Sequence, residues 1–233
     1  MKKRRIAALL IAALVLAIAM GALLRAGYDA EEAAIAAMAQ GETSGRATAF
    51  GSAQSESGLI FYPGGLVDHA AYAPLMQEIA DRGIFCLLVE MPLDLAVLDA
   101  DAADGLCAQY PQVKRWTIGG HSLGGAMAAS HAAKHPGDFD GLLLLGAYAA
   151  EDVSGAVCRT LSIYGSEDGV LNREKYETGR TFYPADFEEI TIPGGNHAGF
   201  GCFGAQKGDG AAQVSQEEQW AVTADAVAQW MKE

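Results

Sequence analysis

A serine framed by glycines opens the chemistry of this chain. In the run Trp116 to Gly125, Gly120 and Gly124 flank Ser122 at G-x-S-x-G spacing. A strand that turns sharply into a helix needs residues without a Cβ on either side of the turn, and such an elbow holds its serine out at the end of the strand. The flanks fit. Arg115 to Gly119 is a short β-prone run, and Leu123 to His135 is rich in Ala and Met with no proline before Pro136. A serine hydroxyl is a poor nucleophile at neutral pH, so it needs a base within reach and a third group to orient that base. Among the five histidines, His197 is the best base, because Pro193-Gly194-Gly195-Asn196-His197-Ala198-Gly199 is too glycine-rich to serve packing and displays its side chain. Asp168, between Gly165 and Gly169, is the best acid. Glu167 is the near alternative, and Asp186 and Asp209 are more distant ones.

The remaining histidines have plainer readings. His69 lies in a loop, and His121 packs against the elbow. His131 and His135 stand four apart, a metal-ligand spacing, but no acid occupies the H-E-x-x-H position, so a solvated helix face is expected and no metal site. An oxyanion formed at Ser122 requires amide N–H donors. Leu123, just after the serine, supplies one; the turn Pro63-Gly64-Gly65-Leu66 supplies the other, from Leu66 or alternatively Gly65.

These residues must be positioned by a sheet. Apolar strands (59–62, 84–89, 115–119, 141–145, 160–164, 187–192) alternate with helical stretches (72–82, 95–110, 123–135, 173–182, 216–231), a pattern that predicts a mostly parallel sheet with helices on both faces. In such sheets ligands bind beyond the carboxyl ends of the strands. The glycine turn, Ser122, Asp168 and His197 each follow a strand. Only residues 146–159 separate two late strands, so no large cap domain fits. The expected walls are the loop 148–157 and the stretch 200–210, with Tyr62, Met91, Tyr148 and Phe200 lining the pocket.

The length of 233 residues fits one α/β domain with an N-terminal appendage. Lys2, Lys3, Arg4 and Arg5 precede nineteen uncharged residues, Ile6 to Leu24, which predicts a single transmembrane helix with the rest of the chain outside the cytoplasm. The rival reading is a signal peptide cleaved after Ala17-Ile18-Ala19, giving a secreted protein. The division expected is an anchor over 1–25, a tether over 26–45 containing a short helix between Tyr28 and Gln40, and a domain over 46–233 with a weak edge strand near 46–50. Beyond residue 25 there are 11 basic and 29 acidic residues, a net charge of −18, which excludes nucleic acid as a partner. Cys86 reads as a buried thiol, and Cys107 with Cys158 is the one disulfide to test.

With these motifs in hand, residues 45–233 resemble the α/β-hydrolase superfamily, whose nucleophile, acid and histidine follow one another in the order Ser122, Asp168, His197. The chain is similar to small membrane-anchored bacterial α/β-hydrolases through Phe61–Gly65, Gly119–Gly125, Tyr164–Gly169 and Gly194–His197. Related families include dienelactone hydrolases, lipases and carboxylesterases; a dienelactone hydrolase normally uses cysteine where Ser122 stands. The resemblance implies a serine hydrolase acting on a small carboxylic ester or other acyl substrate, without metal or organic cofactor. An acyltransferase, an amidase, or a binding module on the same fold stay open at this level.

Overall fold

The computed structural model describes residues 27–232 together with Gly21. The expected transmembrane span over 6–24 and the cleavage site at 17–19 lie outside the described residues, apart from Gly21. Among the described residues no helix is long and apolar enough to cross a membrane.

Eight strands form one sheet: β1 (Glu42–Ser44), β2 (Ala47–Phe50), β3 (Ser57–Tyr62), β4 (Phe85–Val89), β5 (Arg115–His121), β6 (Gly141–Leu145), β7 (Arg159–Gly165) and β8 (Asp186–Ile192), in the order β1-β2-β4-β3-β5-β6-β7-β8. The pairs β1–β2 and β2–β4 are antiparallel, and all other neighbours are parallel. Strands β4 (FCLLV) and β6 (GLLLL) are buried throughout, because helices cover both faces and no position faces water. One apolar cluster, including Leu75, Met76, Ile79, Trp220, Val227 and Trp230, packs α2 (Ala73–Asp81) and α5 (Gln216–Lys232) onto one face. The opposite face receives α3 (Leu123–Lys134) through Ala128, Ala129 and Ala132, and His131 on the same helix is buried rather than on the solvated face expected for it; the short α4 (Arg173–Gly179) follows β7. The edge strand β8 carries Glu188 and Glu189, charges that discourage pairing with another chain.

Three expectations are corrected here. Residues 95–110 do not form an α-helix; they fold as turns with short 3-10 segments at 96–98 and 107–109. Asp99, Asp101 and Asp104 are poor helix formers, and Gly105 at φ +72° breaks the run. The expected tether is, from Tyr28 on, part of the folded unit. Helix α1 (Glu32–Met38) buries Ala34 in the core, and β1 adds an edge strand. Tyr28 N–H donates to Leu66 O (2.7 Å), Asp68 N–H donates to Tyr28 O (3.0 Å), and Glu31 N–H donates to Cys202 O (2.9 Å). All four cysteines are free, so Cys107 and Cys158 are not bridged; Cys86 is buried as expected.

Register sets the site. His121 pairs with Leu145, Leu145 with Ile163, and Gly165 with Ile192, so the carboxyl ends of β5 to β8 finish side by side. The chain direction of sheet growth reverses between β3 and β5, and the loops after those two strands open the crevice where such sheets bind ligands.

Candidate active site

Ser122 leaves β5 at φ 52°, ψ −121°, a conformation that a non-glycine residue adopts only under constraint. The constraint is steric. A Cβ on Gly124 would overlap the carbonyl oxygens of Tyr62 and Pro63, and one on Gly120 would lie 2.5 Å from Tyr62 O. The strand-to-helix turn expected from G-x-S-x-G is present, with α3 starting at Leu123, whose first-turn amides have no acceptor inside the helix.

Asp168 and His197 meet from the loops after β7 and β8. His197 Nδ1 lies 2.8 Å from Asp168 Oδ2, with both side chains essentially buried. Asp168 Oδ1 accepts the N–H groups of Val170 (2.9 Å) and Leu171 (2.8 Å), which aims the other oxygen at the imidazole. With Nδ1–H donated to the carboxylate, Nε2 holds the free lone pair. It has no hydrogen-bond partner among the described residues. Gly146, at φ +51° after β6, leaves room for the pair: a Cβ there would stand 2.9 Å from His197 Nδ1 and 3.1 Å from Asp168 Oδ2. Glu167 accepts from Ser166 Oγ (2.9 Å) and plays no part in this contact.

The glycine turn after β3 corrects one expectation. Leu66, at φ 59°, donates its N–H to Asp94 O at 2.7 Å, so that amide is already used. Gly64 N–H donates to Tyr72 Oη at 3.1 Å. Gly65 N–H has no acceptor among the described residues, and a Cβ on Gly65 would touch Leu123 Cδ2 at 2.8 Å. Gly65 and Leu123, the alternative and the first choice from sequence, thus lie against each other.

Ser122, Leu123 and His197 line one cavity of about 300 Å³, walled by Ala126, Gly146, Ala147, Tyr148, Ala150, Val170, Leu171 and Asn172. Its wall is mainly small and apolar. A second cavity of about 460 Å³ shares Tyr148, Ala150 and Asn172, so the site opens outward there. Of the four expected lining residues, only Tyr148 lines it. Tyr62 is a core residue whose Oη donates to Ala100 O (3.0 Å) and accepts from Ala103 N–H (2.8 Å). Met91 is buried in the same cluster. Phe200 is buried under His121, with ring centroids 5.5 Å apart. Aromatic and Met side chains at strand ends were drawn inward by the area they bury. Ala126 was findable, since it lies one helical turn after Ser122 on the same face.

Three further residues support the site. His121 is buried with its ring 4.3 Å from that of His197, and its Nδ1 lies 2.7 Å from Tyr72 Oη. With the His121 proton on Nε2, Tyr72 Oη accepts from Gly64 N–H and donates its own proton to His121 Nδ1, so each group of the chain is used. That nitrogen approaches the His197 backbone carbonyl without reaching hydrogen-bond geometry. Burial first, and then the neighbouring His197, hold His121 well below the usual imidazole range, so it stays neutral. Asp209 binds both catalytic-side loops at once: it accepts from Gly169 N–H (3.0 Å) and Gly210 N–H (2.8 Å) through Oδ1, and from Ala198 N–H (2.8 Å) through Oδ2. Gln219, buried on α5, exchanges two hydrogen bonds with the Asn196 backbone (3.0 and 2.8 Å). Nothing local in the sequence marks Gln219 or Tyr72, because their partners lie 23 and 49 residues away. His69 sits beside Asp68, 3.4 Å away, and Asp186 is on β8, outside the site.

The same architecture recurs in known proteins. An esterase from Thermogutta terrifontis, solved with malate bound, superposes with a TM-score of 0.58 at 15% identity over 80% of this chain and 92% of that one. A dienelactone hydrolase from Anabaena variabilis gives 0.57 at 16% identity, over 80% and 91%. A monoacylglycerol lipase from Paleococcus ferrophilus gives 0.60 at 11% identity, over 79% and 97%. At such identities the likeness concerns the fold. A search of curated proteins found no sequence match. The sequence profile of the alpha/beta hydrolase family matches residues 58–221, from β3 into α5, and this chain belongs to that family.

Proposed function

We propose that this protein is a serine hydrolase that cleaves carboxylic esters through an acyl-serine intermediate. The observation that carries the reading is the His197 imidazole, anchored on buried Asp168 by Nδ1 at 2.8 Å while Nε2 is left free beside a cavity that Ser122 also lines. Nε2 takes the Ser122 hydroxyl proton as Oγ attacks the ester carbonyl carbon. The C=O electron pair moves onto oxygen, where the N–H groups of Gly65 and Leu123 stabilise it. As the tetrahedral species collapses, the C–O bond to the alcohol breaks and Nε2–H supplies its proton. Water, activated by the same nitrogen, then releases the acid and regenerates Ser122. Asp168 orients the imidazole through Nδ1 and steadies the imidazolium as it forms. None of these steps needs a metal or an organic cofactor.

The structural relatives named above, an esterase, a dienelactone hydrolase and a lipase, support an ester as substrate. The small apolar cavity, its outward opening at Tyr148 and Asn172, and the absence of a cap between β6 and β7 favour a short acyl group on a soluble ester. Labelling by a fluorophosphonate probe, combined with hydrolysis of p-nitrophenyl esters of increasing chain length, tests the proposal. Ser122 is expected to be labelled, and rates are expected to peak at short chains. A folded wild type that neither reacts with the probe nor hydrolyses any ester in the series sinks it. Lys2 to Arg5 and the apolar run 6–24 further support a single-pass anchor that holds the domain outside the cytoplasm, which protease accessibility of the domain in intact cells checks.

A further inference from the structure

Tyr28 joins the turn after β3 through a parallel bridge to Val67, its Oη accepts from Lys207 N–H (3.0 Å), and its ring packs against Phe203 with centroids 5.4 Å apart. It is thereby pinned between the turn that carries Gly65 and the loop that follows His197. The turns after β4 stand on the same rim of the sheet, since Leu66 N–H donates to Asp94 O. Those turns hold a patch that the fold does not bury. Five large apolar side chains are well exposed among the described residues, and three of them fall within six positions: Leu93 (43%), Val97 (56%) and Leu98 (55%). Leu93 adopts φ 53°, ψ 30°, a left-handed conformation that favours Gly, Asn or Asp, so neither packing nor the backbone selects a leucine there.

The length of chain that precedes the described domain says what covers this patch. The uncharged run ends at Leu24, four positions before Tyr28. Even fully extended, that stretch places Tyr28 at most about 14 Å from the end of the run. The headgroup layer on each side of the hydrocarbon core is about 5–7 Å deep. A span over 6–24 therefore holds the carboxyl rim of the sheet close to the membrane surface and leaves the domain little length to stand off. Three exposed aliphatic side chains would hold a free domain only weakly, but a covalent anchor keeps the surface at high local concentration, so a weak contact suffices. Glu90, Asp94 and Asp99 flank the patch, and a zwitterionic surface fits it better than an anionic one.

We propose that the turns 92–98 rest, through Leu93, Val97 and Leu98, on the outer face of the lipid bilayer that holds the N-terminal anchor. This surface rests on the reading of 6–24 as an uncleaved membrane span, and not on the ester chemistry. In the sheet, β4 lies on one side of β5 and Ser122, while Tyr148 and Asn172 follow β6 and β7 on the other. The patch thus meets the lipid on one flank of the rim, and the mouth of the cavity at Tyr148 and Asn172 stays on the other, where a soluble ester reaches it.

The test uses the full chain reconstituted into phosphatidylcholine vesicles whose acyl chains carry bromine, which quenches indole emission at close range. Leu98→Trp adds one indole to the buried Trp116, Trp220 and Trp230, and the wild type sets the background. The added emission is expected to fall by about half in brominated relative to plain lipid, because an apolar side chain docked at the interface sinks about 5–10 Å into the headgroup and acyl boundary. Val222→Trp is the control: Val222 is also exposed (45%), but it follows Ala221, whose carbonyl accepts from Arg82 just ahead of the amino end of β4. Its added emission is expected to stay unquenched. Adding Leu93→Asp and Val97→Asp to Leu98→Trp is expected to abolish the quenching with Tm unchanged, which separates contact through the patch from mere nearness. Equal quenching at the two positions, quenching that survives the two aspartates, or a blue shift that grows with protein density without quenching, as a second copy would give, overturns the proposal. Release of the chain from the vesicles by alkaline carbonate sinks the anchor and the docking surface together, whereas loss of ester hydrolysis touches neither.

Discussion

A pair of imidazoles stands at each end of helix α3, with the same 4.3 Å between ring centroids, but the carboxylates that face the two pairs differ in burial. At the N-terminal end, His197 rests on Asp168, a carboxylate with no exposed side-chain surface whose second oxygen is taken by two amides. Within the Asp168–His197 pair the ring nitrogen left without a partner is Nε2, and the positive end of the helix points at the place where an oxyanion would form. At the C-terminal end, His131 and His135 face carboxylates that are half in water, and no geometry closes the cluster. The spacing of the rings says little by itself. What separates the two ends is whether the carboxylate is buried and which ring nitrogen it leaves free.

Breaking the closed end should produce the largest effects. Ser122→Ala or His197→Gln is expected to lower kcat for a p-nitrophenyl ester by about 10⁶-fold with Tm little changed, since the two act as one unit. A loss below about 100-fold in a folded variant would place the chemistry elsewhere. Asp168→Asn keeps the shape but presents the wrong hydrogen-bonding partner to Nδ1, so a loss of about 10⁴-fold is expected. Gly146→Ala tests how tightly that end is packed: its Cβ must fit 2.9 Å from His197 Nδ1 at φ +51°, and a drop of about 100-fold in kcat with a lower Tm is expected.

Asp209→Ala removes one carboxylate that receives amides from the loops of both Asp168 and His197. It should cost about 10-fold in kcat with KM little changed, and about 1–3 kcal/mol of stability for the amides left unpaired. An unchanged kcat would show that the loops hold themselves.

The smallest effect sharpens the comparison from the open end. His131 has its folded pKa lowered from 6.5, chiefly by burial, with Asp101 and Asp104 pulling upward and His135 downward. The unfolded chain therefore binds more protons as pH falls below 6.5, and stability is lost in that direction. His131→Phe should flatten the fall of unfolding free energy between pH 7 and pH 5 by up to one proton. Buried His121 keeps its own contribution in the same direction, so some slope must survive. Denaturant unfolding at a series of pH values measures both.

The elbow was legible because it is local: Gly120, Ser122 and Gly124 lie within five residues, and the steric demand that selects glycine acts across one turn. Asp168 and His197 were legible from glycine-rich loops placed after strands. The choice between Leu66 and Gly65 was not, because it turns on whether Asp94 O, in a separate loop, accepts one amide. The pocket wall was read least well. Tyr62, Met91 and Phe200 look alike in sequence whether they line a cavity or fill a core, and only packing against elements far along the chain separates the two.

Sequence alone determined that strands alternate with helices, that a serine stands on a strained turn, and that an acid and a histidine follow later strands in order. Each of these rests on interactions within a few residues: alternation of apolar side chains, the space beside a glycine, the exposure of a loop. Tertiary structure alone decided that Asp209 and Gln219 clamp the histidine loop, that residues from Tyr28 on brace the turn at Leu66, and that Asp101 and Asp104 fold over His131. Those contacts join positions 11 to 38 residues apart or more, and strand register in the finished sheet, which no local propensity encodes, brings them together.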